Sequence, residues 1–290
     1  MTNTHSLPPA AASGSVALGD LTVNRIGYGA MRITGEGTFG PPADPDECIR
    51  TLRRTVELGV NFIDTADSYG PDVSEELIAK ALHPYPDGLV IGTKGGFTRP
   101  GPDDWRLDCN PARLREQLEG SLRKLKVERI DLWQLHRIDD KYPAEDQFAL
   151  LAEFISEGKV RHVGLSEVGV KDIKAARKIV PIVSVQNRYN IADREWEDVV
   201  DYCQEEKIAF IPWYPLGAGL RVKNAAAQEK KIESVATKLG ATKMQLALAW
   251  LLRRSPVILP IPGTSKVAHL KENVAAAAVE LSQQDLEELS

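Results

Sequence analysis

From Arg25 onward the chain alternates, eight times in succession, between a short apolar run and a longer segment with apolar residues every three or four positions. The first run opens at Arg25, and the others lie at 60–64, 89–94, 130–136, 160–166, 182–186, 208–211 and 257–261. The helical segments between and after them are 44–58, 74–82, 111–125, 144–156, 171–178, 193–206, 225–239 with 242–252, and 266–277. Asp44 before Pro45 and Asn110 before Pro111 are N-cap pairs, and Leu114, Leu118, Leu122 and Leu125 fall on one helical face. Strict alternation implies parallel strands covered by helices. Eight units in one run predict an α/β fold, a closed (β/α)8 TIM barrel in a single domain. An open Rossmann-like sheet is the competing architecture, but no GxGxxG follows an early strand. Residues 16–23, interrupted by Gly19-Asp20, predict an N-terminal β-hairpin. The expected division is a flexible leader at 1–15 and the barrel at 16–290, with 95–109 a Gly/Pro-rich loop.

Composition narrows the function. A net charge of −5 offers no basic face for nucleic acid, and no apolar run approaches the roughly 20 residues of a membrane span. The first 14 residues lack the charged and apolar regions of a secretory signal. Cys48, Cys109 and Cys203 are far apart and without CxxC spacing, which suits reduced cytoplasmic thiols and no metal site. The expected assembly is a monomer or weak homo-oligomer acting on a small molecule.

In a barrel of this kind the residues just past the strand ends converge on one mouth. Here they are Asp64 with Tyr69, Lys94, His136, Ser166, Gln186, Trp213 and Gly263. The first four form an acid–base set suited to carbonyl reduction, in which hydride reaches carbon and a proton must reach oxygen. A free phenol, with a pKa near 10, is a weak donor at neutral pH. Lys94 is the group that would lower the Tyr69 pKa, Asp64 would hold Lys94 by an ion pair, and His136 would polarise the substrate oxygen. Phe39 and Trp105 lie on loops expected to rim the mouth, whereas Trp133, inside a strand, reads as core, and His83, His162 and His5 as structural or exposed.

Motifs across residues 25–273 resemble the aldo-keto reductase family: Gly27-Tyr28-Gly29-Ala30-Met31, Phe62-Ile63-Asp64-Thr65-Ala66, Thr93-Lys94, Asp131-Leu132-Trp133-Gln134-Leu135-His136, Gly164-Leu165-Ser166, Val185-Gln186-Asn187 and Pro260-Ile261-Pro262-Gly263-Thr264. The resemblance implies a catalytic tetrad of Asp64, Tyr69, Lys94 and His136, with Tyr69 and His136 also meeting substrate. It implies NADPH as cofactor, with NADH as the alternative. Gly29, Ala30, Met31 and Asp64 would border it, Ser166 and Gln186 would bond the carboxamide, and Trp213 would stack on the nicotinamide. Pro215, Leu216 and Gly217 match the pyrophosphate loop, with Tyr214 also bordering the cofactor. Thr264, Ser265, Lys266, His269, Glu272 and Asn273 match the segment that grips the 2′-phosphate and adenine, and Gly263 would also border the cofactor. Two positions depart from the family pattern: Glu167 stands where asparagine is usual, and His269 where many members have arginine.

The compact tail, Gly40-Pro41-Pro42, Ser255-Pro256 and residues 265–270 are most similar to a bacterial branch that includes pyridoxal reductases. With no long loop expected after the last helix, an open mouth suits small carbonyls. The specific expectation is reduction of pyridoxal to pyridoxine. The alternatives are a broad-specificity detoxifying carbonyl reductase and a non-catalytic nicotinamide-binding regulatory subunit, like the beta subunits of potassium channels. A Schiff-base barrel using Lys94 as nucleophile is disfavoured, because Asp64 would keep that lysine charged.

Overall fold

The computed structural model describes residues 9–217 and 226–289. Its centre is a curled parallel sheet, and each stave ends where an apolar run meets a polar residue. The first staves are β3 (Tyr28–Gly29), β4 (Phe62–Asp64) and β5 (Val90–Gly95), followed by β8 (Ile130–Leu135), β9 (Val160–Ser166), β10 (Ile182–Gln186) and β11 (Ala209–Phe210). The expected eighth strand at 257–261 is a stave of isolated contacts. Phe210 bridges Ile258, Leu259 N donates to Phe210 O at 2.8 Å, Gly27 N donates to Pro260 O at 2.9 Å, and Gly29 bridges Gly263. Pro260 and Pro262 remove the donors that a continuous ladder would use. The seam nevertheless joins β11 to β3 and closes the (β/α)8 barrel. Side chains fit there only because it is built from glycine: a Cβ on Gly29 would stand 2.6 Å from Ile261 O.

Around the staves lie α1 (Pro45–Glu57), α2 (Val73–Leu82), α3 (Pro111–Leu125), α4 (Ala144–Ser156), α5 (Val170–Ala176), α6 (Glu197–Glu206), α7 (Ala226–Lys238), α8 (Lys243–Arg254), α9 (Val267–Ala275) and the tail helix α10 (Gln283–Glu288). The N-caps work as the sequence implies: Asp44 accepts from Glu47 N and Asn110 from Ala112 N. Helix α6 starts four residues later than its periodicity suggests. Asn190 and Asp193 exchange backbone hydrogen bonds while the Asn190 side chain accepts from Ala192 N, an Asx turn that holds this stretch out of helix. Trp133 and Phe154 meet edge to face in the core, as expected of Trp133.

The hairpin of β1 (Ser15–Leu18) and β2 (Leu21–Asn24) buries Val16, Leu18 and Val23. Its turn residue Asp20 receives hydrogen bonds from Arg161 at 2.6 Å and pairs with His162 at 2.6 Å, both at the start of β9. The hairpin therefore seals the N-terminal end of the barrel and leaves the C-terminal mouth free. The flexible leader expected over 1–15 does not hold at Pro9–Ser13, a 3-10 turn in which Ala10 is fully buried and its N–H donates to Leu58 O. The rest of that expectation, and the starting residue of the helix expected at 225, lie outside the described residues.

The stretch 95–109, read as irregular, is a second hairpin of β6 (Phe97–Gly101) and β7 (Asp104–Leu107) standing over the mouth. Pro100 is tolerated because this two-stranded unit has free edges. Among the described residues no helix is long and apolar enough to cross a membrane.

Candidate active site

The C-terminal mouth holds a cavity of about 760 Å³. Asp64 closes β4, Lys94 lies on β5, His136 follows β8, and Tyr69 sits on the turn between β4 and α2. Lys94 Nζ lies 2.6 Å from Asp64 Oδ2, 2.8 Å from Thr65 O and 3.5 Å from the Tyr69 hydroxyl. The ion pair is dry, with Lys94 wholly buried and Asp64 2% exposed. The other carboxylate oxygen of Asp64 accepts from Gln186 at 2.8 Å and from Gln134 at 3.3 Å. A buried charge pair holds only when its remaining lone pairs are satisfied, and here they are.

Protonation follows from this packing. Burial opposes charge on Lys94, but Asp64 and the phenol outweigh it and hold its pKa above the usual value, so it is an ammonium. Burial raises the Tyr69 pKa, and Lys94 offsets only part of that while Asp64 adds to it. Lys94 thus acts in the expected direction, but burial outweighs it and the net shift is upward. The carboxylate 2.6 Å from the ammonium neutralises much of its field at the hydroxyl. Tyr69 therefore keeps its proton at neutral pH. Burial, then the charges of Lys94 and Arg137, push the His136 pKa well below the normal histidine value, so its ring is neutral. His136 Nδ1 is enclosed without a hydrogen-bond partner among the described residues. A buried lone pair is tolerated better than a buried orphan N–H, which assigns the ring proton to Nε2.

Aromatic rings wall one side. Phe97 lies edge to face on His136 with centroids 4.8 Å apart, and Trp105 stands 6.4 Å from Tyr69 and 6.3 Å from His136. Trp105 lines the cavity, whereas Phe39 does not. Phe39 instead pairs with Gly70 beside the cavity, its ring facing Arg99 at 5.9 Å.

Gly29, Met31, Ser166, Gln186, residues 213–217 and Gly263 line the opposite side, while Ala30 is buried behind it. Ser166 Oγ accepts from Arg137 Nη1 at 3.0 Å, leaving its own proton to donate. Gln186 is turned onto Asp64. Glu167 takes a left-handed backbone (φ +56°), and its carboxylate accepts from Trp213 Nε1 at 2.5 Å and from Arg188 N at 2.6 Å. The departure from asparagine thus serves to fasten the indole edge. Leu216 N–H has no acceptor among the described residues, and Tyr214 is left-handed at φ +61°.

The segment expected to grip an adenosine phosphate lies outside the cavity lining, at the start of α9. Lys266 and His269 are exposed there, and Lys266 Nζ makes no hydrogen bond or ion pair among the described residues. Thr264 Oγ1 accepts from Lys266 N, and Ser265 is half-buried. Glu47 supplies a carboxylate to Val267 N at 3.2 Å, at the helix end where an anion would sit. Glu272 is already engaged, accepting from the Thr242 hydroxyl, and Asn273 is buried.

Arg32, Phe97, Arg137 and Met244 line the cavity without having been singled out from the sequence, whereas Ile261 and Pro262 do so from the motif at 260–264. Arg137 directly follows His136, so its position was readable; Met244 comes from α8 and carried no signal.

A family model described as "Aldo/keto reductase family" matches residues 25–290. "Uncharacterized oxidoreductase C215.11c" of Schizosaccharomyces pombe is 53% identical over 275 residues, covering 95% of this chain and 88% of that protein. "Pyridoxine 4-dehydrogenase" of Escherichia coli is 44% identical over 284 residues, covering 96% and 98%. An aldo-keto reductase from Klebsiella pneumoniae, crystallised in complex with NADPH, superposes with a TM-score of 0.80 at 26% identity, covering 95% of this chain and 93% of that one.

Proposed function

The chain belongs to the aldo/keto reductase family, and from that premise we propose that it reduces an aldehyde to the alcohol with NADPH, pyridoxal to pyridoxine being the substrate pair we favour. The observation that carries the reading is the dry Asp64–Lys94 pair within 3.5 Å of a protonated Tyr69, beside a neutral His136. The Escherichia coli relative's name and the aromatic wall of Phe97, Trp105, Tyr69 and His136 both favour a planar heteroaromatic aldehyde.

The cofactor would supply hydride to the carbonyl carbon. The side of the cavity formed by Ser166, Trp213 and residues 214–217 suits its nicotinamide end: a free hydroxyl proton, an indole held by its edge and an unengaged backbone N–H. On the substrate side, His136 Nε2–H would donate to the carbonyl oxygen. As that oxygen gains charge, Tyr69 transfers its proton to it, and the O–H bond of the phenol breaks as the new O–H bond forms. The phenolate left behind faces the Lys94 ammonium, whose field is unopposed by water because both are buried. Tyr69 then regains a proton from solvent.

Purified protein assayed for NADPH oxidation against a panel of aldehydes and ketones, with the pyridoxal product identified, tests the reading. Equimolar pyridoxine is expected. NADPH binding with no oxidation by any carbonyl would favour the regulatory-subunit reading instead, and equal turnover of unrelated carbonyls would favour the broad-specificity one.

Cofactor choice is tested at Lys266. As the uncommitted cation at the start of α9, beside a helix end carrying Glu47, it would have to hold a 2′-phosphate against that carboxylate. Lys266→Ala should weaken NADPH binding by roughly 1.5–3 kcal/mol, the range for hydrogen bonds to charged groups, and leave NADH binding unchanged. Fluorescence titration with both cofactors measures this; equal losses would remove Lys266 from phosphate recognition.

A further inference from the structure

Three loops bring the aromatic wall to Tyr69, and a single side chain joins them. Arg99, on β6, is 7% exposed. Its Nη2 donates to Gly37 O at 2.7 Å, Nη1 to Thr38 O at 3.1 Å and Ser68 O at 3.2 Å, and Nε to Asp104 O at 3.2 Å. The same guanidinium lies 3.7 Å from the centroid of the Trp105 ring. It makes no ion pair among the described residues. A buried cation is thus held by four main-chain carbonyls from three segments and by one aromatic face. Each segment bears on the cavity. Ser68 precedes Tyr69, Asp104 precedes Trp105, and Gly37-Thr38 lead to the strand pairing of Phe39 with Gly70.

The arrangement also holds strain. Thr38 and Asp103 have φ +56°, in the left-handed region that a β-branched residue such as threonine strongly avoids. Such residues persist only where surrounding contacts over-determine them. The Thr38 carbonyl receives both Arg99 Nη1 and Gly70 N, the latter at 3.2 Å. Only a planar fork with several fixed donors can reach all four carbonyls at once, and an ammonium cannot.

We propose that Arg99 is a positioning residue for substrate: it fixes the Trp105 wall against the Tyr69 turn, so that a planar aldehyde lies with its carbonyl at Tyr69 and His136. The proposal rests on the reductase reading for its kinetic part and on the fold alone for the rest. Misplacing a reacting group by about 1 Å costs on the order of 10²-fold in rate. Arg99→Met and Arg99→Lys should each lower kcat/KM for pyridoxal by about that factor. A short aliphatic aldehyde, which does not need the ring wall, should lose much less, and NADPH affinity should stay within about twofold. Because the arginine acts through the indole, Arg99→Met combined with Trp105→Ala should be no worse than the poorer single variant.

Chymotryptic cleavage at Trp105 reads the clamp without turnover, and it should accelerate several-fold in both Arg99 variants while the melting temperature of the barrel changes little. Full activity in Arg99→Lys would show that charge, and not the fork, is what matters, and would overturn the proposal. So would equal losses for both aldehydes together with weakened NADPH binding, or unchanged cleavage at Trp105. If the wild type reduces no aldehyde, the reductase reading falls, and the cleavage rates alone decide whether Arg99 holds the wall.

Discussion

Tyr69→Phe should abolish carbonyl reduction while leaving NADPH binding and the fold intact. The substitution removes one oxygen from a side chain whose ring is packed against Trp105 and His136, so the wall keeps its shape. What is lost is the proposed proton donor. The hydroxyl accepts from Lys94 at 3.5 Å and has no other partner among the described residues, so no structural hydrogen bond of consequence disappears with it. Losing a positioned general acid costs roughly 10²–10⁴ in rate. Stopped-flow measurement of the first turnover, with cofactor affinity measured separately, gives both quantities. Retention of more than about a tenth of the wild-type rate would assign the proton to another group.

Lys94→Met should be as damaging to catalysis and far more damaging to stability. It leaves Asp64 as an uncompensated charge that is 2% exposed, with Gln186 and Gln134 its remaining side-chain donors among the described residues. Breaking a buried pair from one side costs about 3–5 kcal/mol, whereas replacing both partners by neutral groups is often close to neutral. The double variant Asp64→Asn/Lys94→Met should therefore melt nearer the wild type than the single one does, because the amide keeps an acceptor for Gln186. It should remain as inactive as Lys94→Met. Denaturant melts and turnover on the three proteins separate the two effects. A double variant that regained activity along with stability would mean that Lys94 serves only to hold the barrel together.

Much of this site was legible because its chemistry lies at strand ends. An apolar run that stops at Asp64, Lys94 or His136 gives both the stave and the residue at its mouth, and the eight-fold alternation gives the closure. The last stave was readable as apolar sequence but not as broken pairing, since that depends on which N–H groups Pro260 and Pro262 remove. The hairpin at Phe97–Leu107 was hidden, because Arg-Pro-Gly-Pro-Asp-Asp carries turn residues and no two-residue alternation. Its consequence was hidden too: Trp105, expected at the rim, reaches Tyr69 and His136 through the fold of that hairpin. Arg99 binds main-chain carbonyls, which every residue has, so no pattern of residue types could announce it. The direction of the Tyr69 pKa shift was misjudged for a related reason. Residue types pair a lysine with a phenol, but how deeply the phenol is buried, the main cause that raises its pKa, depends on the fold around it.

The central claim is that Tyr69 is a loaded acid beside a neutral imidazole, and the pH dependence of the first hydride-transfer turnover tests it most directly. A phenol with a raised pKa stays protonated until strongly alkaline pH, so reduction should be lost only as pH rises through that value. A histidine whose pKa is pushed well below its ordinary value of about 6.5 is already neutral there, so it should add no acid limb at that pH. The account predicts a rate that shows no break at the ordinary histidine value of about 6.5 and falls only above the ordinary phenol value of about 10, with the alkaline limb absent in Tyr69→Phe. A rate that changes with a midpoint near the ordinary histidine value of about 6.5, in the wild type and in Tyr69→Phe alike, would contradict it and make His136 the proton donor.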